Sequence, residues 1–285
     1  MKFAMHNWMR AEPLETTLAR LERFGYDGIE ISGEPAEYDA HEVHEQLMRH
    51  GLTCWGAVTL TEKGRDLING DRYVRLGTIR YMKDCLTFAA DLGGQILTVV
   101  PCLKTAPMSS VENEWRWAVD GLKECQEHAD KLGIRMAIEP LNRFETYFIN
   151  RHDQALELAE QVGGNCGVCL DFYQMCAEEN SWESALRASA SRLANVHIAD
   201  SNRMPPGRGS IDWKRAIQVL SDTAYSGYLS VEFLAPLDRV PRHSGTKQGG
   251  ANVDSGFPAD DGSGVVQEQD YDRYVKETID YMRQL

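Results

Sequence analysis

The repeating unit of this sequence is clearest in Lys131-Leu132-Gly133-Ile134-Arg135-Met136-Ala137-Ile138-Glu139. A helical segment ends at a glycine, the residue that most readily takes the left-handed conformation of a helix C-cap. A short apolar run typical of a buried strand follows at once. The same order of helix, glycine and strand recurs around Gly25 and Gly51. Strands that alternate with helices in this way indicate an α/β fold with a parallel sheet.

Eight such units can be placed along the 285 residues, each with a strand and a following helix. The strands are expected at residues 2–7, 28–31, 52–58, 95–100, 135–139, 166–171, 193–198 and 228–233. The helices are expected near residues 13–24, 39–50, 72–92, 112–132, 152–161, 181–189, 212–221 and 268–284. Eight βα units predict one α/β domain over 1–285, a single (β/α)8 TIM barrel, for which about 250 residues is typical. The alternative is an open doubly wound sheet, but the first strand ends His6-Asn7-Trp8 without the glycine-rich loop of that fold.

One segment, residues 235–265, departs from this rhythm. It is rich in Gly, Pro, Asp and Ser and separates the eighth strand from the last helix. Loops of this length inside a domain usually have a function of their own, and in a barrel this one would leave the face where active sites are built. We expect an inserted loop that acts as a lid or an oligomer contact, with a surface insertion as the alternative.

Composition limits the class of partner. The chain has 30 Lys and Arg against 43 Asp and Glu, a formal net charge of −13. This balance disfavours nucleic acid and anionic membrane surfaces, which both require a basic face. There is no apolar run long enough for a membrane span and no secretory signal at the N-terminus, so a cytoplasmic protein is expected. Seven cysteines do not form a secreted framework, and Cys166 and Cys169 on one strand would point to opposite faces as buried thiols.

Each of the last four predicted strands carries one polar residue near its end: Glu139, Asp171, His197 and Glu232. The ends of parallel barrel strands meet at one face, with neighbours about 5 Å apart. Three carboxylates at that spacing repel one another unless a cation lies between them. The pattern therefore predicts a divalent metal site. Carboxylate-rich ligands favour Mn²⁺, with Mg²⁺ or Co²⁺ as alternatives, and no thiolate is expected that would favour Zn²⁺.

Taken singly, these residues have simpler explanations that stay open. Asp171 is placed to cap a helix, His197 has the setting of a core histidine, and Glu139 has Arg143 nearby as an ion-pair partner. Their occurrence on four successive strands favours the metal site.

Three blocks of the sequence closely resemble the ketose 3-epimerases, the tagatose and psicose epimerases of the sugar isomerase/epimerase superfamily of xylose isomerase-like TIM barrels. These blocks are Glu139-Pro-Leu-Asn142-Arg143-Phe144-Glu145-Thr146, Asp171-Phe172-Tyr173-Gln174-Met175 and His197-Ile-Ala-Asp-Ser201-Asn202-Arg203. The resemblance implies that Glu139, Asp171, His197 and Glu232 are the metal ligands and that Glu139 and Glu232 are also the catalytic acid and base. It implies a substrate-binding role for Glu145 and Arg203 and, less specifically, for His6 and Trp8.

One residue departs from the epimerase pattern. Gln174 stands where the epimerases usually have a histidine that touches the substrate. A glutamine can hydrogen-bond a hydroxyl but cannot exchange a proton near neutral pH. Gln174 is therefore expected to bind substrate, at a position where substrate identity is set.

The resemblance implies a metal-dependent sugar isomerase/epimerase that 3-epimerises a free ketose through a metal-stabilised enediolate, with two glutamates as acid and base. One alternative is a metal-dependent lyase acting on 3-keto glycosides with a small partner subunit. A non-catalytic sugar-binding barrel is another. An endonuclease IV-like repair enzyme is remote, because it needs several more histidine ligands and a basic groove. The expected partners are a small-molecule sugar and a second copy of the chain or a small subunit, with no nucleic acid and no membrane.

Overall fold

Parallel strands close into a barrel in the computed structural model, which describes residues 1–62, 64–104, 106–235, 266 and 268–285. Within these residues the strands are β1 Lys2–His6, β2 Gly28–Gly33, β3 Thr53–Thr59, β4 Ile96–Val99, β5 Arg135–Ile138, β6 Gly167–Asp171, β7 Leu193–Ile198 and β8 Tyr228–Val231. Each strand pairs with the next, and β8 returns to β1, where Lys2 lies opposite Tyr228. The predicted (β/α)8 barrel is confirmed, and the open sheet is excluded.

Helices surround the barrel. Those of the described residues are α1 Leu14–Phe24, α2 Ala40–Arg49, α3 Arg72–Asp91, α4 Val111–Leu132, α5 His152–Val162, α6 Phe172–Glu178, α7 Trp182–Ser189, α8 Trp213–Asp222 and α9 Glu268–Met282. Two C-caps are left-handed glycines, Gly25 (φ 76°) and Gly133 (φ 71°), as the sequence predicts. The expectation of one helix after each strand is wrong after β6, where the short helix α6 precedes α7.

The strands are buried on both faces, and the two faces differ in character. On β1, Phe3 and Met5 belong to the main apolar core, whereas Ala4 belongs to a separate small cluster in which Trp55 stacks on Tyr228 with ring centroids 4.8 Å apart. Because side chains alternate along a strand, His6 shares the face of Ala4. The barrel interior thus has small and aromatic residues near the starts of the strands and polar residues toward their C-terminal ends.

The cysteines that the structure describes are free, and six of the seven are buried. Cys166 packs in the main core, and Cys169 packs with Ala137 and Ala194 in a separate cluster. The expectation that Cys166 and Cys169 do not form a pair is confirmed, because both thiols are free, and Cys166, which directly precedes β6, packs in a different cluster from Cys169.

Among the described residues, no helix combines the length and the apolar character needed to cross a membrane. The inserted loop predicted at 235–265 lies outside the described part of the chain, apart from Ala235.

Candidate functional site

The four polar residues of the last strands converge at one end of the barrel. One ligand atom from each of Glu139, Asp171, His197 and Glu232, called here the ligand cluster, lies within 4.8 Å of the others, and all four side chains are buried. Glu139 and Glu232 directly follow β5 and β8, Asp171 ends β6, and His197 is the second-last residue of β7. The structure therefore brings the predicted ligands together; their role as metal ligands stays a prediction.

His197 lies between the two glutamates. Its Nδ1 atom is 3.0 Å from Oε1 of Glu139 and 3.0 Å from Oε2 of Glu232. Asp171 has two separate tasks, because its Oδ1 accepts a hydrogen bond from the Tyr173 N–H at 2.6 Å and so caps α6. The capping explanation of Asp171 is thus correct for one oxygen, and the other oxygen remains for the cluster.

The donor atoms of the ligand cluster fit a divalent cation. Within the residues that the structure describes, Oδ2 of Asp171 is buried without a hydrogen-bond partner. A buried carboxylate oxygen left unpaired costs free energy that a cation would recover. Three carboxylates and one imidazole form a donor set that suits Mn²⁺, Mg²⁺ or Co²⁺. The residues present therefore fit the metal that the sequence predicts.

The electrostatics of the cluster lead to the same conclusion. Burial raises the pKa of Glu139 to about 7. Burial, together with the charges of Glu232 and Glu139, raises the pKa of Asp171 well above its usual range. Burial also opposes the charge of Glu232, but the positively charged His197 beside it outweighs that effect and lowers its pKa to about 2. Glu139 and Asp171 thus retain protons that a bound metal would displace.

A thiol lies beside the cluster, contrary to the sequence expectation. The Sγ atom of Cys169 is within 4.8 Å of ligand atoms of Glu139 and His197. Cys169 and Asp171 are two residues apart on β6 and therefore share a face, a parity that the sequence already contains. Burial raises the pKa of Cys169 well above its usual range, which favours the neutral thiol over the thiolate that binds metals.

Glu139 and Glu232 also line a cavity of about 210 Å³. Three predicted substrate-binding residues, Glu145, Gln174 and Arg203, share its wall, and its apolar part is formed by Trp8, Val58, Leu60, Val100, Leu103 and Leu141. The volume is below the roughly 300–1,000 Å³ of pockets for drug-sized ligands, which favours a small substrate. A larger groove of about 550 Å³ between α4 and α5 contains none of the predicted site residues.

Arg203 reaches the cavity from the loop between β7 and α8. Its Nη1 donates to Oε1 of Glu145 at 2.9 Å, and its Nη2 is 3.8 Å from Oε1 of Glu232. Its backbone has a φ of 61°, the left-handed region that costs a non-glycine residue free energy. The buried Asp200 carboxylate ties this loop together by accepting from Ser201 N, Gly207 N, Ile211 N and Trp213 Nε1.

Gln174 is held by Asn142, a residue that the sequence analysis did not assign to the site. Oε1 of Gln174 accepts from the Asn142 backbone N–H at 2.8 Å and from its side-chain Nδ2 at 2.6 Å. The amide nitrogen of Gln174 is consequently turned toward Glu145, at 3.4 Å from its Oε1. Gln174 therefore offers the cavity a hydrogen-bond donor.

His6 lies beneath the site and is absent from the cavity wall, whereas Trp8 lines it. The His6 ring meets the His197 ring edge-on with centroids 4.6 Å apart, and its Nε2 is 3.7 Å from Oε2 of Glu30. Glu30 is fully buried in the middle of β2 and was also missed from the sequence. Its signal was an acidic residue between Ile29 and Ile31 in an otherwise apolar strand.

Comparisons with known proteins agree with the barrel fold. The D-psicose 3-epimerase of Ruminiclostridium cellulolyticum H10 is 28% identical over 228 residues, 75% of this chain and 76% of its own length. The 3-dehydro-D-guloside 4-epimerase of Escherichia coli K12 is 29% identical over 224 residues, 74% of this chain and 84% of its own length. The crystal structure of D-psicose 3-epimerase with D-tagatose from Clostridium cellulolyticum H10 superposes with a TM-score of 0.85 at 23% identity, covering 100% of this chain and 99% of that one, a likeness of fold.

A family profile decides the assignment. The profile described as xylose isomerase-like TIM barrel matches residues 18–253. That match spans seven of the eight strands and all four members of the ligand cluster. The chain therefore belongs to the xylose isomerase-like TIM barrel family.

Proposed function

We propose that this protein is a metal-dependent ketose 3-epimerase that acts on a free, unphosphorylated sugar. It is an enzyme of the isomerase/epimerase type, in line with the D-psicose 3-epimerases to which it is similar. The observation that carries the proposal is the ligand cluster itself, because two of its carboxylates, Glu139 and Glu232, also face a small cavity. A buried metal site whose carboxylates reach a substrate is the arrangement that proton abstraction next to a carbonyl requires.

Glu139, Asp171, His197 and Glu232 would hold the metal, whose chemistry is to polarise the substrate carbonyl oxygen as a Lewis acid. One of the two glutamates removes the C3 proton of the ketose, and the other returns a proton to the opposite face of the enediolate. Glu139 and Glu232 follow strands separated by two others, an arrangement that would let them approach the substrate from different sides. The pKa of Glu139, raised to about 7 by burial, suits proton transfer near neutral pH.

Arg203, Glu145 and Gln174 would position the sugar. The Arg203–Glu145 pair and the Gln174 amide supply donors and an acceptor at one cavity wall. The apolar part of the wall, with Trp8, excludes water from the reacting carbon.

Further details belong to the same proposal. Mn²⁺ is the favoured metal, with Mg²⁺ or Co²⁺ as alternatives, on the chemistry of the donor set. We also propose one domain over residues 1–285, a cytoplasmic location, and assembly with a second copy of the chain or a small partner subunit.

The decisive experiment follows the C3 proton. Purified protein is incubated with free ketoses in D₂O, and ¹H NMR measures the loss of the C3–H signal and the appearance of the epimer. We expect exchange that EDTA abolishes and added Mn²⁺ restores. Full activity in protein shown to be metal-free, or no exchange with any ketose in the metal-loaded protein, would contradict the proposal.

A second candidate function is chemistry on 3-keto glycosides. The similarity to a 3-dehydro-D-guloside 4-epimerase supports it. The same NMR assay with 3-keto glycosides separates the outcomes: an epimerised glycoside indicates a 4-epimerase, and a released aglycone indicates a lyase.

A further inference from the structure

A buried hydrogen-bond network lies directly beneath His197, on the side away from the ligand cluster. Its centre is Glu30, whose side chain has no exposed surface. Oε1 of Glu30 accepts from the Thr98 hydroxyl at 2.6 Å, and both of its oxygens lie 3.0 Å from Nδ2 of Asn195. Nε2 of His197 is 3.1 Å from Oε2 of Glu30. Glu30, in β2, thus connects the ring of the predicted ligand His197 to Thr98 in β4.

The indole of Trp55 fixes which groups donate and which accept in this network. Nε1 of Trp55 lies 2.9 Å from Oδ1 of Asn195, and an indole N–H can only donate. Oδ1 of Asn195 must therefore accept, which turns its NH₂ group toward Glu30. The two amide hydrogens find acceptors in Glu30 and in the Thr98 hydroxyl oxygen, 2.9 Å away. Nδ2 of Asn195 also lies 2.9 Å from Nε2 of His197. Because both amide hydrogens already face Glu30 and Thr98, the amide makes no demand on a lone pair of that ring nitrogen.

A single arrangement of the His197 ring agrees with this network. A carboxylate accepts only, so Nε2 of His197 must carry the hydrogen that faces Glu30. In a neutral imidazole the lone pair is then on Nδ1, the atom that lies 3.0 Å from both Glu139 and Glu232. Metal-binding histidines commonly donate their second N–H to a carboxylate, which fixes the ring and raises its basicity.

We propose that Glu30, oriented through Asn195 by Trp55, is the positioning residue that holds His197 as an Nδ1 metal ligand. The inference rests on the proposed function, since it presupposes that the ligand cluster binds a metal. It adds a residue from the opposite half of the barrel, contributed by β2 to a site whose ligands all come from β5 to β8. Glu30 itself touches no substrate, because it does not line the cavity.

The test is the affinity for Mn²⁺, measured by titration calorimetry on EDTA-stripped protein. Glu30→Gln keeps the shape of the side chain but replaces the negative charge and one acceptor oxygen by an NH₂ group. We expect this change to raise the Mn²⁺ dissociation constant about 10- to 100-fold. Glu30→Asp keeps a carboxylate and should recover part of the affinity. The visible absorption spectrum of the Co²⁺-loaded protein should also change in Glu30→Gln, because it reports on the ligand field.

Glu114→Gln is the matched control. Glu114 is equally buried and accepts from Met108 N, Ser109 N and the Tyr147 hydroxyl, none of which belongs to the cluster. This variant should lose stability and yet retain the wild-type Mn²⁺ affinity. The comparison separates a structural buried carboxylate from one that acts on the metal.

The outcomes are distinct for the two proposals. A wild-type protein that binds no divalent metal overturns the proposed function. A wild-type protein that binds Mn²⁺, with a folded Glu30→Gln variant whose affinity is within about twofold of it, overturns this inference alone. If Glu30→Gln does not fold by circular dichroism, Trp55→Phe decides, since it removes the indole N–H and leaves Glu30 in place. We expect Trp55→Phe to bind Mn²⁺ more weakly than Glu114→Gln does; equal affinity contradicts the inference.

Discussion

Glu139 and Glu232 face the same cavity in different electrostatic surroundings. Burial dominates at Glu139 and raises its pKa to about 7, whereas the charged His197 overcomes burial at Glu232 and lowers its pKa to about 2. Near neutral pH the metal-free site therefore holds one charged and one partly protonated carboxylate. Two carboxylates whose pKa values are driven apart in this way are the usual acid and base of a proton-transfer site.

We expect Glu232→Gln to lower kcat by about 10²- to 10⁴-fold, because an amide cannot accept the C3 proton. The same change should weaken Mn²⁺ binding, since it removes a charge from the ligand cluster. The measurement is C3–H exchange by NMR, with Glu124→Gln as the control. Glu124 is exposed and pairs with Lys83 on the outer helices. A Glu232→Gln enzyme that exchanges C3–H at the wild-type rate would refute its role.

Asn142 offers a second test, because it fixes the amide of Gln174. Asn142→Ala removes the Nδ2 donor to Gln174 and Glu145. We expect KM to rise about tenfold, the cost of about one lost polar contact to substrate, with a smaller change in kcat. Steady-state kinetics give the two constants. An unchanged KM would show that the orientation of Gln174 is irrelevant to binding.

Single residues also show the limit of the sequence. Glu139, Asp171, His197 and Glu232 were found because each stands near a strand end, and strand ends are visible as the last position of an apolar run. Glu30 and Asn195 lie deeper in their strands. They are hydrogen-bonded to each other although they are 165 positions apart along the chain. The orientation of Gln174 depends on Asn142, 32 positions away. Such contacts follow from barrel closure and have no local signature.

The loop between β7 and α8 carries Arg203 into the cavity, and the Asp200 carboxylate holds it. Asp200 accepts three backbone N–H bonds and the indole N–H of Trp213. Burial alone would raise the pKa of Asp200, but these hydrogen bonds outweigh it and keep the pKa below the usual range. A strained Arg203 persists where such surroundings over-determine the backbone. The loop therefore acts as a rigid support for one guanidinium group.

Replacing Asp200 should uncouple substrate binding from metal binding. We expect Asp200→Ala to lower kcat/KM roughly 10- to 100-fold, because Arg203 is displaced from its contacts, while the Mn²⁺ affinity stays at the wild-type value. Asp222→Ala is a control on the exposed end of α8, where the carboxylate pairs with Arg187. Loss of Mn²⁺ affinity in Asp200→Ala would show that the loop supports the whole site.

The observed helices and strands agree closely with those predicted from the sequence, except at α6. Apolar periodicity identifies a helix over about 11 to 18 residues, whereas α6 has seven residues and begins directly after β6. Its start is set by one oxygen of Asp171, which also ends the strand. The sequence therefore does not reveal α6, although Asp171 is recognisable as a residue that can cap a helix.

In the molecule as a whole, the ligand cluster is a concentration of like charge that destabilises the metal-free fold. Glu139 and Asp171 have raised pKa values, so the folded protein binds more protons than the unfolded chain above about pH 4.5. Stability from these groups therefore falls as pH rises toward and beyond neutrality. His197, whose pKa is raised, acts in the same direction, and His6, whose pKa is lowered, opposes it.

We therefore expect Mn²⁺ to raise the melting temperature more at pH 8 than at pH 5.5. At a free concentration 100 times the dissociation constant at pH 8, binding adds about 2.7 kcal/mol at that pH, or roughly 4–5 °C for 285 residues. Differential scanning calorimetry with EDTA or Mn²⁺ at both pH values measures the effect. An equal shift at the two pH values would contradict the assignment of raised pKa values to the ligand carboxylates.

Closure of the barrel has a consequence for how the protein is made. The ligand cluster is drawn from residues 139 to 232, the supporting Glu30 is in the first strand pair, and β8 must reach β1 before Glu232 is in place. A nascent chain that has not yet released β8 from the ribosome presents an incomplete set of donors. Binding of a metal by all four residues would thus be a late event in biogenesis, restricted to chains in which β8 has joined β1.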